Sequence, residues 1–412
     1  MFDGNILLAK ITEIWNILYS SVIINQMQLS KNANVLILSH FYTRTTGGGG
    51  PPQELRDYLL KKIKKIVYIE HPFPRSDDKR SSMSIYENGV LRKIVFTKPR
   101  LGSEGFFYLA DFWINSYFIV ASKTIFNVCI ALDCLNTLNM IPFRFFGITK
   151  KLIFYVIDYT PKRFSNTLLN FIYLTSDRLA SRHADTIWNN SPKMHEARSA
   201  LGIRHMAPSV ILPTGANLER IRPLPIEKIY RHQIIFVGVL WEKQGLQLVI
   251  RALPNIISRV NRVRLVIVGK GDYTGKLKKL ARGLHVEKHV RFLGFVEKHT
   301  AVERLLCKSA IGIAPYMPIP DNFTYFSNPG KPKLYLGCGL PVVITDVPAI
   351  ARVIESHRAG MIIDYTVESI QKKLLKLLTD DKLYNTYRNN ALALSKNYDT
   401  NTLIRKALAG TK

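Results

Sequence analysis

Short, almost continuous apolar runs alternate along this chain with segments whose apolar residues recur at helical spacing. An apolar run without alternation is typical of a strand that is buried on both faces of a parallel sheet. Leu246, Val249 and Leu253 mark one example of the helical pattern. The alternation of strands and helices predicts a doubly wound α/β fold. The predicted strands are Val35–Leu38, Ile66–Ile69, Phe126–Leu132, Leu152–Ile157, Val210–Leu212, Ile234–Val237, Leu265–Val268, Val290–Leu293, Ile311–Ala314 and Val342–Ile344.

A polar, proline-containing stretch at residues 217–233 divides the chain before a new strand begins. The sequence has 412 residues, which is enough for two hydrophobic cores. We therefore predict two Rossmann-like domains, residues 31–220 and 221–392, with ligand chemistry in the cleft between them. Residues 393–412 are predicted to form a C-terminal helix.

Residues 1–30 are predicted to be an amphipathic extension, because Leu7, Ile11 and Trp15 begin an apolar stripe at helical spacing. The segment is too polar for a membrane-spanning helix, which needs about 20 predominantly apolar residues, and it lacks the features of a signal peptide. It fits a membrane-interface helix, a helix packed on the protein's own surface, or an extension that does not fold. A second apolar stretch, 106–132, predicts a buried helix followed by a strand.

The charge balance is strongly basic. The chain has 58 Lys and Arg against 30 Asp and Glu, a net charge of +28. The excess is +11 over residues 1–220 and +17 over the remainder, so it is not a basic tail. Such a surplus predicts attraction to an anionic partner: nucleic acid, a lipid surface or a phosphorylated small molecule.

The cysteine and acidic residues suggest no metal centre. The four cysteines form no CxxC or Cys/His cluster, so neither a zinc module nor a disulfide framework is predicted, and a reducing compartment fits them best. No Asp-x-Asp ligand set stands out in a loop that could bind a substrate. We therefore expect no metal ion.

A run of four glycines, which includes Gly48 and Gly49, follows the first predicted strand and precedes two prolines and a helical pattern. Glycines let the backbone approach a ligand, and the N-terminus of the next helix offers unpaired N–H groups to an anion. A flexible loop is the alternative.

Two glycine motifs occur in the second half of the chain. In the first, Gly238 ends a strand and Lys243 lies in the turn that opens the next helix, where a lysine can neutralise a diphosphate. A solvated lysine is the usual alternative. The second, with Gly269 and Gly271, is half of a dinucleotide fingerprint without its third glycine, so a nicotinamide cofactor is not expected.

The most specific stretch is Ser327 to Thr345, SNPGKPKLYLGCGLPVVIT. Lys331 lies at a predicted helix start, where the helix dipole disfavours positive charge. An anionic ligand at that point would resolve the conflict.

Residues 234–364 resemble the donor-binding domain of glycosyltransferase family 4 and its relatives with the GT-B fold. The resemblance lies in FVGVLWEKQGL, RLVIVGKGD, VRFLGFV, APY and NPGKPKLYLGCGLPVVITD, and more weakly in GGGGPPQELRDYL, YVIDYTPKRF, TIWNNS and LPTGANLERI of residues 34–217. It implies that the second domain holds a nucleotide-sugar donor, such as a UDP- or GDP-sugar, and that the first holds the acceptor.

The resemblance also implies roles for individual residues. Lys243 and Lys331 would bind the donor diphosphate, and Asp158 would approach the reacting sugar or the acceptor hydroxyl. Asp158 and Lys331 are the implied catalytic residues. The implied substrate-binding residues are Gly48, Gly49, Gly238, Lys243, Gly269, Gly271, Gly294, Phe295, Val296, Tyr325, Asn328 and Lys331.

The chain departs from the family pattern at three places. Val239 replaces an arginine after the first donor-domain strand, and Ile157 replaces a histidine before Asp158. The family's two glutamates would fall at Phe326 and Leu334, so neither is present. Bacterial glucosyl- and galactofuranosyltransferase-like relatives share this glutamate-free form. Retention of configuration is the family's default.

These observations predict a metal-independent hexosyltransferase that builds cell-surface polysaccharide or glycoconjugate on a glycan or lipid-linked acceptor. Because no nucleic-acid-binding motif accompanies the charge, the surplus is assigned to an anionic membrane, with the protein cytoplasmic and peripheral on the inner face of the plasma membrane. A non-catalytic GT-B subunit, a nucleotide-sugar epimerase and a nucleic-acid-binding protein are the alternatives. The sequence does not decide whether the protein forms a homo-oligomer.

Overall fold

The computed structural model describes residues 29–41, 50–74, 76–319 and 322–411, with the side chain of Glu104 excepted. The predicted N-terminal extension lies outside the described residues except at its last two positions, and so do Gly48 and Gly49.

The first sheet has eight strands in the order β4-β3-β2-β1-β5-β6-β7-β8. All are parallel except β3 and β4, which form an antiparallel edge hairpin. The strands are β1 Asn34–Phe41, β2 Lys65–Pro72, β3 Ser82–Glu87, β4 Val90–Phe96, β5 Val128–Leu132, β6 Leu152–Val156, β7 Thr186–Asn189 and β8 Ser209–Ile211. The helices between them are α1 Pro51–Leu60, α2 Glu104–Ala121, α3 Cys134–Phe145, α4 Thr167–His183 and α5 Pro192–Ala200.

The second sheet has six parallel strands in the order β11-β10-β9-β12-β13-β14. They are β9 Gln233–Val237, β10 Arg264–Val268, β11 Val290–Gly294, β12 Ile311–Ala314, β13 Val342–Thr345 and β14 Gly360–Ile363. The helices are α6 Leu246–Arg259, α7 Thr274–Gly283, α8 His299–Cys307, α9 Gly330–Gly337, α10 Ile350–Ser356, α11 Val367–Thr379, α12 Asp381–Ser395 and α13 Thr400–Gly410.

The doubly wound α/β prediction is confirmed, and each of the ten predicted runs overlaps a strand. The inner strands of both sheets are buried on two faces, as the continuous apolar runs indicate. In β1, Val35 and Ile37 join the hydrophobic cluster on one side of the sheet, whereas Leu36 and Leu38 join the cluster on the other. The β3–β4 hairpin was not predicted, although its Asn88-Gly89 turn, with both residues at positive φ, is a strong hairpin signal.

The helix predicted within residues 106–132 is α2, but the prediction that it is buried is wrong. One face packs on the sheet through Phe118 and Ile119, while Trp113 and Tyr117 on the opposite face are about two-thirds exposed. No helix in the described part of the chain is long and apolar enough to cross a membrane.

The last helix, α13, returns to the first domain. Ile404, Ala407 and Leu408 pack in the same cluster as the first-domain strands. At its end, the buried Trp188 Nε1 donates a hydrogen bond of 2.9 Å to the buried Thr411 Oγ1. The covalent linker near residue 217 is therefore not the only connection between the two sheets.

We expect the substitution Thr411→Val to lower the free energy of unfolding by about 1–3 kcal/mol, because it leaves the buried Trp188 N–H without an acceptor. Urea unfolding of the two proteins measures the difference. Thr402→Val is the matched control, since Thr402 is bonded to Asp399 through its backbone N–H. Equal losses in the two variants would show that the Trp188 bond is not responsible.

Candidate active site

Each sheet reverses its strand order once. The first sheet reverses between β1 and β5, and the second between β9 and β12. Ligands of open parallel sheets bind outside the carboxyl ends of the strands at such switch points. A cavity of about 290 Å³ lies between the two domains, lined by Gly50, Glu54 and Tyr155 of the first and by Gly238 and Lys331 of the second.

Lys331 lies in the first turn of α9, at the switch point of the second sheet. Its Nζ donates a hydrogen bond of 2.7 Å to Gln244 Oε1 and lies 3.8 Å from the ring centre of Phe236 and 5.1 Å from that of Tyr316. None of the described carboxylates forms an ion pair with it, and burial lowers the pKa of its ammonium group well below the usual value. An anion bound here would offset the cost of desolvating this charge.

Three glycines make room for this arrangement. A Cβ at Gly238 would lie 3.2 Å from both Cε and Nζ of Lys331, so glycine leaves the space that the lysine occupies. A Cβ at Gly269 would lie 1.9 Å from the Gly238 carbonyl oxygen, and one at Gly271 would lie 2.4 Å from that of Leu240. The loop after β10 therefore packs closely on the loop after β9, and these two glycines position Gly238.

Lys243 lies in a short 3-10 turn, Glu242–Gln244, that also supplies the acceptor for Lys331. The backbone carbonyl oxygen of Lys243 accepts hydrogen bonds from Met317 N and Asn322 Nδ2. The turn is thereby tied to the segments that flank residues 320 and 321.

Asn328 is held by a lysine that sequence reasoning missed. The fully buried Lys333 donates to the Asn328 carbonyl and side-chain oxygens and to the Pro329 carbonyl oxygen. Burial lowers the pKa of Lys333 well below its usual value. The two lysines of the Lys-Pro-Lys sequence therefore have different positions. Lys331 lines the cavity, and Lys333 fixes the loop that precedes α9.

The remaining predicted donor-side residues lie along the carboxyl edge of the second sheet. Gly294 has a φ of +70° and accepts a hydrogen bond from Gly269 N at 2.7 Å. Phe295 is about half exposed, with Lys270 Nζ 5.4 Å from its ring centre, and Val296 packs on the core. Tyr325 contacts the first domain, with Lys193 Nζ 4.2 Å from its ring centre.

Asp158 follows β6 on the first domain and does not line the cavity that holds Lys331. Desolvation by the surrounding protein raises the pKa of the Asp158 carboxyl group, and the positive charge of Arg163 partly offsets this by lowering it. The Gly48 and Gly49 prediction falls outside the described residues, although Gly50, which follows directly, lines the cavity.

A buried polar network that the sequence did not reveal lies at the first switch point. His40, near the end of β1, places Nδ1 2.7 Å from Asp133 Oδ2 and Nε2 3.0 Å from Asp111 Oδ2. Arg100 Nη1 also donates to Asp111, at 2.6 Å. Both ring nitrogens of His40 face carboxylates, so both are donors and the ring is an imidazolium.

An ion-pair cluster joins the domains at the side of the cavity. Arg220 donates to both carboxylate oxygens of Glu303 in α8 and to Glu54 in α1, and Asn217 Nδ2 donates to the other Glu54 oxygen. Burial alone would raise the pKa of Glu303, but the bonds from His299 and Arg220 outweigh it and lower the pKa. The cluster fixes α1, and with it Gly50, relative to the second domain.

The described residues contain no group of three or more His, Cys, Asp and Glu side chains placed to hold a metal ion. All four cysteines are free and buried.

The His40 network predicts a specific dependence of stability on pH. Burial alone would lower the pKa of His40, but the charges and hydrogen bonds of Asp133 and Asp111 raise it from 6.5 to about 10. Its contribution to stability is therefore complete below pH 6.5 and is lost as the pH rises towards 10 and beyond. We expect the unfolding free energies of wild type and His40→Gln to differ most at pH 6 and the difference to shrink steadily as the pH rises to 10. A difference that stays constant between those pH values would contradict the network's charge state.

Residues 231–380 match the family described as Glycosyl transferases group 1. A GDP-mannose-dependent alpha-(1-6)-phosphatidylinositol monomannoside mannosyltransferase of Mycobacterium tuberculosis is 28% identical over 182 residues, which are 41% of this chain and 46% of that protein. The chain thus spans about half the length of the curated relatives it matches.

Two solved structures share the fold over almost their whole length. Sucrose-phosphate synthase from Thermosynechococcus elongatus has a TM-score of 0.69 at 13% identity and covers 91% of this chain and 97% of its own. HepE of Anabaena, solved in complex with UDP, has a TM-score of 0.64 at 16% identity and covers 92% and 99%. The chain therefore has the GT-B fold, and its residues 231–380 are similar to the family described as Glycosyl transferases group 1.

Proposed function

We propose that this chain is a glycosyltransferase that moves a hexose from a nucleotide-sugar to a glycan or lipid-linked acceptor, without a metal ion and with retention of configuration. The observation that carries the proposal is Lys331, a desolvated cation at the second switch point whose described surroundings provide no carboxylate. A nucleoside diphosphate supplies the missing negative charge, and its departure is the step that positive charge accelerates.

The diphosphate would lie against Lys331 and the backbone at Gly238, where the absence of a side chain leaves the approach open. The buried Tyr316 Oη, whose ring centre lies 5.1 Å from Lys331 Nζ, has no hydrogen-bond partner among the described residues. Buried hydroxyls without partners are rare, and phosphate or sugar oxygens would satisfy them. Lys243, in the same turn as Gln244, would contribute a second positive charge.

The nucleoside would lie beyond the diphosphate, at residues 294–296. The half-exposed Phe295 ring offers a stacking face to a base, beside the cation Lys270. HepE, which has the same fold, was solved with UDP. UDP and GDP are therefore the first nucleotides to test.

The reacting sugar would face the first domain. Gly48 and Gly49 directly precede Gly50, which lines the cavity, and Asp158 lies at the carboxyl end of the strand that contributes Tyr155 to it. The family pattern and these neighbours support both roles.

An exposed apolar surface supports a lipid-linked acceptor at an anionic membrane. We call it the aromatic face: it lies on α2, on the end of α3 and on α4, and α3 packs against both other helices. Its members are exposed by about two-fifths to four-fifths: Phe106, Leu109, Phe112, Trp113, Tyr117, Val120, Phe145, Phe146, Leu168 and Phe171. Lys123, Lys150 and Arg178, exposed on the same part of the domain, provide charge for anionic lipids. We propose a cytoplasmic protein bound peripherally to the plasma membrane, acting in surface polysaccharide or glycoconjugate synthesis.

A non-catalytic subunit is the second candidate, because apolar residues occupy the positions of the family's two glutamates. Phe326 packs against first-domain residues, so it stabilises the contact between domains. Transfer of sugar by the isolated chain would exclude this alternative.

We expect Lys331→Met to weaken the binding of UDP or GDP by about 10- to 100-fold, because a charge-assisted hydrogen bond contributes about 1.5–3 kcal/mol. The unfolding free energy should stay constant or rise, since the variant removes a desolvated charge. Isothermal titration and thermal unfolding measure the two effects. Lys288→Met, which removes an exposed charge from the same domain, is the control. Equal nucleotide affinity in wild type and Lys331→Met would refute the assignment.

We expect Trp113→Glu to weaken binding to phosphatidylglycerol vesicles by at least about 10-fold at low salt, because the variant exchanges a large apolar contact for a repelled charge. Co-sedimentation measures the bound fraction. Tyr230→Glu, which alters an exposed aromatic residue of the second domain, should bind like wild type. If Trp113→Glu sediments as the wild type does, the aromatic face is not the membrane surface and contact between copies becomes the better explanation.

A further inference from the structure

The first switch point presents a carboxylate whose geometry is fixed by the fold. Asp133 directly follows β5 and has a φ of 71° and a ψ of 165°, a backbone conformation that is otherwise essentially confined to glycine. Backbone strain of this kind persists only where the surroundings impose it. Here the backbone N–H of Asp133 donates to Tyr155 O at 3.1 Å, which joins it to the strand that lines the cavity.

Three hydrogen bonds hold the Asp133 carboxylate. Oδ2 accepts from His40 Nδ1 at 2.7 Å and from Asn136 Nδ2 at 3.1 Å, and Oδ1 accepts from Asn136 N at 2.9 Å. His40 is in turn fixed by Asp111 on its other side. A carboxylate has about four lone-pair sites, so one on Oδ1 is left to accept a further bond.

The residues that hold the Asp133 carboxylate are buried, whereas the carboxylate itself is partly exposed to solvent. The His40 side chain is 4% exposed and Asp111 is 7% exposed, whereas the Asp133 side chain is 39% exposed. An N-cap does not require this network. Asp380 and Asp399 are also N-cap residues, and within the described chain neither is paired with a buried histidine.

The exposed carboxylate lies at the carboxyl edge of the first sheet, beside its switch point, whereas Lys331 lies at the switch point of the second sheet. Its neighbour Cys134 belongs to the hydrophobic cluster against which Phe326 of the second domain packs. Gly50 and Tyr155, at the carboxyl ends of the same sheet, line the cavity that Lys331 also lines. The group that each switch point presents therefore differs in charge: Lys331 at the second is a cation, and Asp133 at the first is an anion.

We propose that Asp133 binds a hydroxyl of the acceptor, and that the acceptor group entering the first switch point is a neutral, hydroxyl-bearing sugar and not a phosphorylated one. This inference rests on the proposed transferase function. A carboxylate accepts strong hydrogen bonds from hydroxyl groups and repels phosphate at the same distance. Any phosphate of a lipid-linked acceptor would then lie outside this point, towards the basic residues of the aromatic face.

The test uses Asp133→Asn, because asparagine keeps the N-cap and nearly the same side-chain shape while removing the charge. Asp380→Asn makes the same change at an N-cap in the second domain and is the matched control. Release of UDP or GDP from UDP- and GDP-hexoses is measured with two probe sets: octyl glucosides, galactosides and mannosides, and the corresponding hexose 6-phosphates. Binding of UDP and GDP to each variant is titrated separately.

We expect at least one octyl hexoside, and no hexose 6-phosphate, to accelerate release by the wild type. Asp133→Asn should raise the KM for that hexoside about 10-fold and leave nucleotide affinity unchanged, and Asp380→Asn should match the wild type. An unchanged acceptor KM in Asp133→Asn, a loss of nucleotide affinity in it, acceleration by the phosphorylated probes alone, or acceleration by no probe would each overturn the inference. In all four cases nucleotide binding by the wild type would leave the proposed function standing. Wild type that binds neither nucleotide would overturn both.

Discussion

The desolvated ammonium group of Lys331 is the constraint on which the arrangement of the second domain depends. A cation at the start of a helix opposes the helix dipole, and burial without a carboxylate among the described residues adds to its cost. The structure nevertheless makes space for it, through the missing side chain at Gly238 and the close backbone contact of Gly269 with Gly238. Gln244 satisfies one N–H, and the aromatic rings of Phe236 and Tyr316 face the charge. An anionic ligand is the simplest physical reason for keeping such a group.

The first domain complements this site with the opposite charge. At its switch point, His40 contacts the carboxylates of Asp111 and Asp133, and Arg100 forms an ion pair with Asp111. The Arg220 cluster links Glu54 beside Gly50 to Glu303 of the second domain, so the two strand edges are held at a defined separation. A donor with a diphosphate and an acceptor with hydroxyl groups match these two edges in charge.

The sequence predicted the sheets well because burial on two faces leaves a local signal. It singled out Lys331 as a candidate because the conflict of this lysine with the helix dipole is also local. The networks could not be predicted in this way. His40 meets Asp133 across 93 positions and Arg220 meets Glu303 across 83, so no local pattern joins them. The role of Lys333 could not be predicted for another reason. Lys331 and Lys333 flank the same proline, and only the folded structure shows which of them is bonded to the loop. The exposure of α2 was missed because an aromatic-rich helix has the same composition whether or not another element covers it.

The central claim is that Lys331 holds the donor diphosphate at the second switch point. A crystal structure of the chain with UDP or GDP tests it most directly. The account predicts a diphosphate oxygen within hydrogen-bond distance of Lys331 Nζ, with the base near Phe295. A nucleotide bound elsewhere, with Lys331 still hydrogen-bonded to Gln244 alone, would contradict it.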